Sequence, residues 1–180
     1  MTRKIIFVGG IHGVGKSTLC DSICLHSNAA HHSASDLISK FGKISHSTNK
    51  FVADVNKNQD VLISAVNEYL HDGMYLLDGH FCLLSKEGKV IEVPISTFES
   101  LSPVAIIVLL DDPASIYSRL KERDKGKYDI ESLSSFQNKE LSYSENIAQR
   151  LRIPYLRANP FTDAENITKF VQHFFKGDTF

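Results

Sequence analysis

The feature that most constrains this sequence is a glycine-rich stretch near the amino terminus, which lies between an apolar run and an amphipathic segment. The apolar run is Ile5–Val8, and the stretch from Gly10 to Ser17 has the spacing G-x-x-x-x-G-K-[ST] of a phosphate-binding loop. Glycines let successive backbone N–H groups turn toward an anion, because no Cβ obstructs the approach. A helix that begins near Gly15 would point its positive end at the same anion. The sequence therefore predicts a strand, a phosphate-binding loop and a helix in succession.

The polar side chains of this stretch suit a nucleoside triphosphate. The Lys16 ammonium can reach the β- and γ-phosphates, and the Ser17 hydroxyl can ligate the Mg²⁺ that bridges them. His12 either contacts a phosphate or the acceptor, or fills space in the loop. We therefore expect ATP as co-substrate and Mg²⁺ as cofactor. The residues of this stretch that are predicted to bind the nucleotide are Gly10, His12, Gly13, Val14, Gly15, Lys16, Ser17 and Thr18.

Length and composition limit the class of protein. A chain of 180 residues suits one domain, so we predict a single domain over residues 1–180. A formal net charge of −1 gives no general attraction to nucleic acid or to a membrane surface. Neither a membrane span nor a signal peptide fits the sequence, and three cysteines form no disulfide framework. We predict a cytoplasmic monomer or homodimer without nucleic-acid or membrane partners.

Hydrophobic patterning predicts alternating strands and helices along the chain. In the first half it predicts a short strand at 29–32 and then a short helix capped by Ser35 or Asp36. Residues 41–57 are polar and predict a loop, and a helical period begins at Gln59. The later predicted elements are a buried strand at 74–79, a β-hairpin at 81–94, a helical turn at 96–101, a strand at 104–110, a helix from Pro113, a helix at 130–151, a strand at 153–156 and a helix at 164–175.

This alternation predicts an α/β fold with a parallel five-stranded sheet and helices on both faces. A ligand of such a sheet lies beyond the carboxyl ends of the strands. Gly10, Asp36, Asp78 and Asp111 all fall at such ends. We therefore expect the functional site at that edge.

Further polar residues are candidates for catalysis. Asp78 ends an apolar strand and could hold magnesium or act as a general base, or it could cap the following turn. Asp36 could orient or deprotonate an acceptor hydroxyl, or cap a helix. Arg119 and Arg123 are four residues apart, hence on one helix face. They could stabilise charge on phosphoryl oxygens, or form a solvated face paired with nearby carboxylates.

These motifs resemble those of the nucleoside monophosphate kinases, and most closely those of archaeal-type adenylate kinases. Residues 10–18, G-I-H-G-V-G-K-S-T, are similar to their phosphate-binding loop, and residues 32–38, H-S-A-S-D-L-I, resemble their acceptor-site motif. Residues 76–80, L-L-D-G-H, resemble the strand whose aspartate faces the magnesium and phosphates. The segment 112–124 resembles the lid, whose arginines clamp the transferring phosphoryl group. By the same resemblance, Asn159 and Pro160 would lie beside the adenine.

The resemblance implies a P-loop fold of the nucleotide-kinase type, with a small β-hairpin excursion and a lid. It implies an ATP-dependent kinase whose acceptor is a nucleoside monophosphate, adenylate foremost. The residues to which it assigns catalysis are Lys16, Asp36, Asp78, Arg119 and Arg123, with Ser17 and Asp78 on the metal.

Departures from the family pattern concern the acceptor. Two arginines that grip the acceptor phosphate are replaced by Ser39 and by the run at 80–82, H-F-C. Lys40 and Lys43 could serve as point charges, without bidentate geometry. His80 could contact the acceptor. Two alternatives therefore stay open: a kinase of a nucleoside, sugar or other small-molecule hydroxyl, and a P-loop ATPase or switch module that acts on a protein partner.

Overall fold

Strands and helices alternate through the chain, as the hydrophobic pattern predicts. The computed structural model describes residues 2–44, 55–85, 88–123 and 128–175. The elements in chain order are β1 (Lys4–Gly9), α1 (Lys16–Cys24), β2 (Ala30–Ser33), α2 (Ala34–Ile44), α3 (Val55–Tyr69), β3 (Met74–Asp78), β4 (Cys82–Leu84), β5 (Val90–Glu92), α4 (Ile95–Leu101), β6 (Ala105–Leu109), α5 (Pro113–Arg123), α6 (Ile130–Leu151), β7 (Tyr155–Ala158) and α7 (Ala164–Phe175).

Five of the strands form one parallel sheet in the order β2-β3-β1-β6-β7. The predicted parallel five-stranded sheet is therefore confirmed. Alternate residues of β1 enter two separate hydrophobic clusters, because successive side chains of a strand point to opposite faces. Ile6 and Val8 pack with α1, α5 and α7, whereas Ile5 and Phe7 pack with α2, α3 and α4. Helix α6 contributes to both clusters, so helices cover both faces of the sheet.

The remaining two strands, β4 and β5, form the predicted hairpin. They pair antiparallel, with Cys82 opposite Glu92. Phe81 precedes the hairpin and is fully buried against the rings of Phe7 and Phe98. This packing anchors the hairpin beside the carboxyl end of β1.

Two helices differ from the prediction. Helix α2 begins at Ala34, so Ser35 and Asp36 lie in its first turn and do not precede it as caps. It continues to Ile44 through residues predicted to be loop, and the Phe41 ring meets the Tyr69 ring edge-on at 6.1 Å between centroids. Helix α3 begins at Val55, four residues before the predicted start. The rest of the predicted loop, 45–54, lies outside the described residues.

The last strand is shifted by two residues from its predicted position at 153–156. Arg152 ends α6 in a left-handed conformation, with φ of 54°. The Ile153 N–H then donates to the Ala148 carbonyl at 3.1 Å, which closes the helix end. Pairing with β6 therefore begins only at Tyr155.

Two helix starts follow from local chemistry. Pro113 begins α5, where its fixed φ suits the first turn and its missing N–H costs no hydrogen bond. Asp129 caps α6 by accepting from the N–H groups of Glu131 and Ser132. None of the helices in the described part of the chain is both long enough and apolar enough to cross a membrane.

Candidate active site

A cavity of about 570 Å³ lies at the carboxyl ends of β1 and β3, the edge where a parallel sheet binds its ligands. The glycine-rich loop and the first turn of α1 form one end of it. The hairpin and helices α2, α3 and α4 form the other end. The loop residues on its wall are His12, Gly13, Gly15, Lys16, Ser17 and Thr18.

Three glycines of the loop occupy backbone conformations that other residues rarely adopt. Their φ angles are 142° at Gly10, 78° at Gly13 and 107° at Gly15. A Cβ on Gly10 would lie 2.6 Å from the Leu109 carbonyl oxygen, and one on Gly13 would lie 2.8 Å from Leu120 Cγ. Glycine is therefore favoured by conformation at all three positions, and at Gly10 and Gly13 it is also required by space.

The side chain of Lys16 is folded into the loop. It is 9% exposed, and its Nζ donates to the carbonyls of Gly10 at 2.7 Å and Ile11 at 3.1 Å. Burial lowers the pKa of Lys16, although the nearby carboxylates of Glu140 and Asp78 oppose this effect. A phosphate bound in the loop would offer this ammonium a charged acceptor instead of two neutral carbonyls.

Ser17 and Asp78 meet beside the lysine. The Ser17 hydroxyl donates to Asp78 Oδ2 at 2.8 Å, and the same oxygen lies 2.7 Å from His31 Nε2. The other ring nitrogen of His31 lies 2.7 Å from Asp21 Oδ1, so this histidine bridges two carboxylates. Burial disfavours the ionised form of Asp78, but the bonds from His31 and Ser17 and the charge of Lys16 outweigh it and hold its pKa below the usual value.

This oxygen pair fits a magnesium ion. Mg²⁺ prefers oxygen ligands and is usually held by one or two side chains together with substrate phosphates and water. A serine hydroxyl and an ionised aspartate 2.8 Å apart, next to a loop shaped for phosphate, provide such ligands. Ser17 and Asp78 are thus the residues that would hold the ion.

Arg119 and Arg123 both line the cavity from α5. Arg119 is held by three partners: Nε donates to the Gly13 carbonyl at 2.9 Å, Nη2 donates to Asp111 Oδ2 at 2.6 Å, and the guanidinium lies 4.8 Å from the centroid of the Phe161 ring. It is therefore fixed at the loop end of the cavity, beside an aromatic ring.

A buried carboxylate, that of Glu140, contacts a residue of the cavity wall. Glu140 of α6 is 1% exposed; its Oε2 accepts from the Phe81 N–H at 2.8 Å, and its Oε1 lies 3.1 Å from His80 Nδ1. His80 lines the cavity and packs against the ring of His12, with 4.3 Å between centroids. Burial raises the pKa of Glu140 to about 7 and, together with the Lys16 charge, lowers the pKa of His80 to about 3. The imidazole of His80 is therefore neutral near neutral pH.

Comparison with known proteins shows to which family this chain belongs. A family model described as an AAA domain matches residues 9–137, which is more than half of the chain. The chain belongs to this AAA-domain family. No curated protein matches the sequence significantly.

Among solved structures, the AAA-domain chain is similar to a gluconokinase from Sinorhizobium meliloti 1021. The two share 14% sequence identity, the alignment covers 97% of each chain, and the TM-score is 0.53. At this identity the likeness establishes the fold alone. At the level of the fold, the predicted α/β P-loop architecture of the nucleotide-kinase type is confirmed.

Several predicted site residues of this AAA-domain protein lie away from the cavity wall. Gly10 holds Lys16 through its carbonyl, and Val14 is fully buried. Asp36 is exposed and lines a neighbouring depression, together with Lys40, and not the cavity. The Lys40 ammonium lies 4.6 Å from the centroid of the Tyr69 ring, so it does not serve the cavity in this structure. The Lys43 side chain lies outside the described residues.

Asn159 supports the cavity from outside it. Its Nδ2 donates to Asp111 Oδ1 at 2.7 Å, and its Oδ1 accepts from the Phe161 N–H at 2.8 Å. Phe161 lines the cavity, whereas Asn159 does not. Asn159 therefore positions a residue of the cavity wall, and its predicted contact with the nucleotide stays a prediction.

Sequence reasoning missed His31 and Glu140. The carboxylates that contact His31 lie 10 and 47 residues away along the chain, so no local sequence pattern connects them. Glu140 had a signal that could have revealed it, since it follows Leu133 and Phe136 at helical spacing on the side of α6 that is buried. A glutamate within an apolar stripe indicates a buried, partnered carboxylate.

Proposed function

We propose that this AAA-domain protein is a kinase that transfers the γ-phosphoryl group of ATP to a small acceptor bound in the cavity. The observation that carries the proposal is the convergence of Lys16, Ser17 and Asp78 at the loop end of a cavity of about 570 Å³, which leaves room for a second substrate. A site that only hydrolysed ATP would not need this additional apolar volume. The shared fold with a gluconokinase also supports transfer to a small molecule.

In this mechanism the chain binds, orients and neutralises charge. The loop amides and Lys16 bind the donor phosphates, and Phe161 with Arg119 flanks the loop end where the rest of the nucleotide would lie. Mg²⁺, held by Ser17 and Asp78, would offset the negative charge of the phosphates. Arg123, on the cavity wall, contributes positive charge toward the transferring group. Phosphoryl transfer depends mainly on such positioning and electrostatics, which is the kind of contribution that these residues would make.

The far end of the cavity favours an acceptor that offers a hydroxyl. Its wall includes the apolar side chains of Leu62, Phe98 and Leu101. Its uncharged polar residues are Ser33, Ser35, Asn58, Gln59 and Thr97. Among the described residues on the cavity wall, the lysine and arginine side chains are Lys16, Arg119 and Arg123, all at the loop end. Burying an acceptor phosphate without a cation would be costly. A neutral alcohol such as a nucleoside or a sugar is therefore preferred over the monophosphate that the family resemblance implies.

The test is an assay of ADP release with ATP and Mg²⁺ across nucleosides, sugars and nucleoside monophosphates, with the phosphorylated product identified by mass spectrometry. Transfer to a hydroxyl supports the proposal, and transfer to a monophosphate supports the adenylate-kinase alternative. Hydrolysis at the same rate with every acceptor would instead indicate an ATPase or switch module.

The contribution of the loop is tested by Lys16→Ala. We expect turnover to fall by at least about 100-fold, because one preorganised charge contact to the transferring phosphoryl group is lost. Lys169→Ala, a surface lysine paired with Glu165 on α7, is the matched control and should keep its turnover. A Lys16→Ala enzyme as fast as the Lys169→Ala control would exclude the loop from the mechanism.

A further inference from the structure

The buried glutamate of α6 is not part of the cavity wall but contacts a residue that is. Glu140 lies 3.1 Å from the cavity-lining His80 and is almost completely removed from solvent. Burying a carboxylate is unfavourable unless its oxygens are paired. The position of Glu140 therefore requires partners that matter to the local structure, and these lie at residues 80–82, just after β3.

Both carboxylate oxygens have partners in this segment, and the backbone N–H of Cys82 donates to the carboxylate as well. Oε2 accepts from the backbone N–H of Phe81 at 2.8 Å, which fixes the path of the chain between β3 and the hairpin. Oε1 lies 3.1 Å from Nδ1 of His80, which fixes the ring of that histidine. The His12 ring packs against His80 from the glycine-rich loop, so the imidazole is constrained on a second side.

This arrangement determines what His80 offers to a ligand. An ionised carboxylate accepts hydrogen bonds and donates none, so above the pKa of about 7 of Glu140 the ring nitrogen that faces it at 3.1 Å, Nδ1, carries the hydrogen. Nε2 is then the nitrogen with the free lone pair, and it lies across the ring from Glu140, on a residue that lines the cavity. A lone pair attracts the hydrogen of an alcohol and repels the oxygens of a phosphate dianion.

We propose that Glu140 is a positioning residue that holds His80 in the Nδ1–H tautomer, so that Nε2 accepts a hydrogen bond from the hydroxyl of the acceptor. The part that concerns the acceptor rests on the proposed kinase function. It deepens that function by assigning the acceptor to the class of neutral alcohols. The part that concerns the tautomer depends only on the contacts within the protein.

The tautomer is measured directly by long-range ¹H–¹⁵N correlation spectra of the full chain labelled with ¹⁵N-histidine. Spectra are recorded at about pH 8, above the pKa of about 7 of Glu140, so that the carboxylate is ionised. His80→Gln identifies the His80 signals by their disappearance. We expect the Nδ1–H tautomer in the wild-type protein, and an Nε2–H tautomer there would overturn the proposal without any further variant.

Glu140→Gln then tests whether the glutamate causes the tautomer. The glutamine oxygen can still accept from the Phe81 N–H, while its NH₂ group faces Nδ1 and donates to it, so we expect His80 to change to the Nε2–H form. Glu145→Gln, the same substitution at an exposed position of α6, is the matched control and should leave the His80 signals unchanged. A Glu140→Gln protein that keeps the wild-type tautomer would overturn the positioning role.

The contact between His80 and the acceptor is tested with the best hydroxyl substrate found in the phosphorylation assay. At about pH 8, we expect Glu140→Gln to raise the KM for that acceptor about tenfold, the size of one neutral hydrogen bond, and to have no such effect in a His80→Gln background. Because Glu140 also supports the charge of Lys16, the KM for ATP does not serve as the control. An increase in the acceptor KM that persists without His80 would overturn the positioning role. If no compound in the panel is phosphorylated, the kinase function fails and the acceptor class with it, whereas the tautomer spectra still decide the role of Glu140.

Discussion

At the scale of single residues, the site depends on charges buried close together before any substrate is present. Lys16 is almost completely enclosed, and the carboxylates of Glu140 and Asp78 partly restore the stability of its charged form. An ammonium buried without such neighbours would lose its proton or leave the loop. The two carboxylates thus oppose the loss of the Lys16 proton within a loop that is built for an anion.

Burial of Glu140 predicts a specific dependence of stability on pH. Its pKa is raised to about 7 from 4.5, so the folded protein binds this proton more tightly than the unfolded chain does. The stability that this proton contributes is complete below pH 4.5 and is lost as the pH rises through about 7. Between about pH 5 and pH 8, we therefore expect the free energy of unfolding of the wild type to fall by about 1–3 kcal/mol relative to Glu140→Gln.

Urea unfolding at both pH values measures this difference. Glu145→Gln should follow the wild type at both, because that side chain is exposed on the same helix. If the free energies of unfolding of the wild type and of Glu140→Gln changed equally between the two pH values, the carboxylate would not be desolvated in the folded protein.

The same residues mark how far the sequence could predict the site. Lys16, Ser17 and the three loop glycines were predictable, because their chemistry is contained in eight consecutive positions. Asp78 was predictable from its place at the end of a strand. The partners of Asp78 and His80 were not, because His31 and Glu140 lie 47 and 60 residues away from them, and only the folded sheet and helix bring them together.

At the scale of elements, Gly9 at the end of β1 is required by its neighbour and not by its backbone conformation. A Cβ at this position would lie 2.0 Å from the Phe81 ring, which is fully buried and packed against two other phenylalanines. We expect Gly9→Ala to lower the free energy of unfolding by about 1–3 kcal/mol, the usual cost of overpacking a core. Thermal unfolding of the purified variant measures it.

Gly42 provides the matched control for this substitution. It lies within α2, and a Cβ there would meet no atom within 4 Å. Alanine favours a helix over glycine by about 0.5–1 kcal/mol, so Gly42→Ala should stabilise the protein slightly. A Gly9→Ala protein as stable as the wild type would contradict the close packing of β1 against Phe81.

Element boundaries were predictable where apolar periodicity is strong. Helices α6 and α7 have the predicted bounds, and their buried residues recur at helical spacing. The predicted loop began too early, at residue 41, because Gly42 and the polar residues beyond it obscured a helical pattern. Phe41 and Ile44 continue the helical spacing of Leu37, and the contact between the Phe41 and Tyr69 rings adds a tertiary interaction that the sequence alone does not reveal.

At the scale of the whole molecule, the sheet separates two hydrophobic clusters, and the cavity opens at the edge where both end. Ile6 and Val8 of β1 belong to the cluster on one face of the sheet, whereas Ile5 and Phe7 belong to the cluster on the other face. The groups that would bind ATP come from β1, α1, β3 and α5, so they converge only in the folded protein. Nucleotide binding should therefore stabilise the fold as a whole.

This linkage gives a prediction that needs no acceptor. With ATP and Mg²⁺ at about one hundred times Kd, binding to the folded state adds about 2.7 kcal/mol, which corresponds to a rise of about 5–10 °C in Tm for a chain of this size. Differential scanning fluorimetry with a titration of ATP measures the rise. Lys16→Ala should lose most of this rise in Tm, because the Lys16 ammonium is the charged group inside the loop. Lys169→Ala should show the full rise. Equal rises in both variants would place the nucleotide somewhere other than the glycine-rich loop.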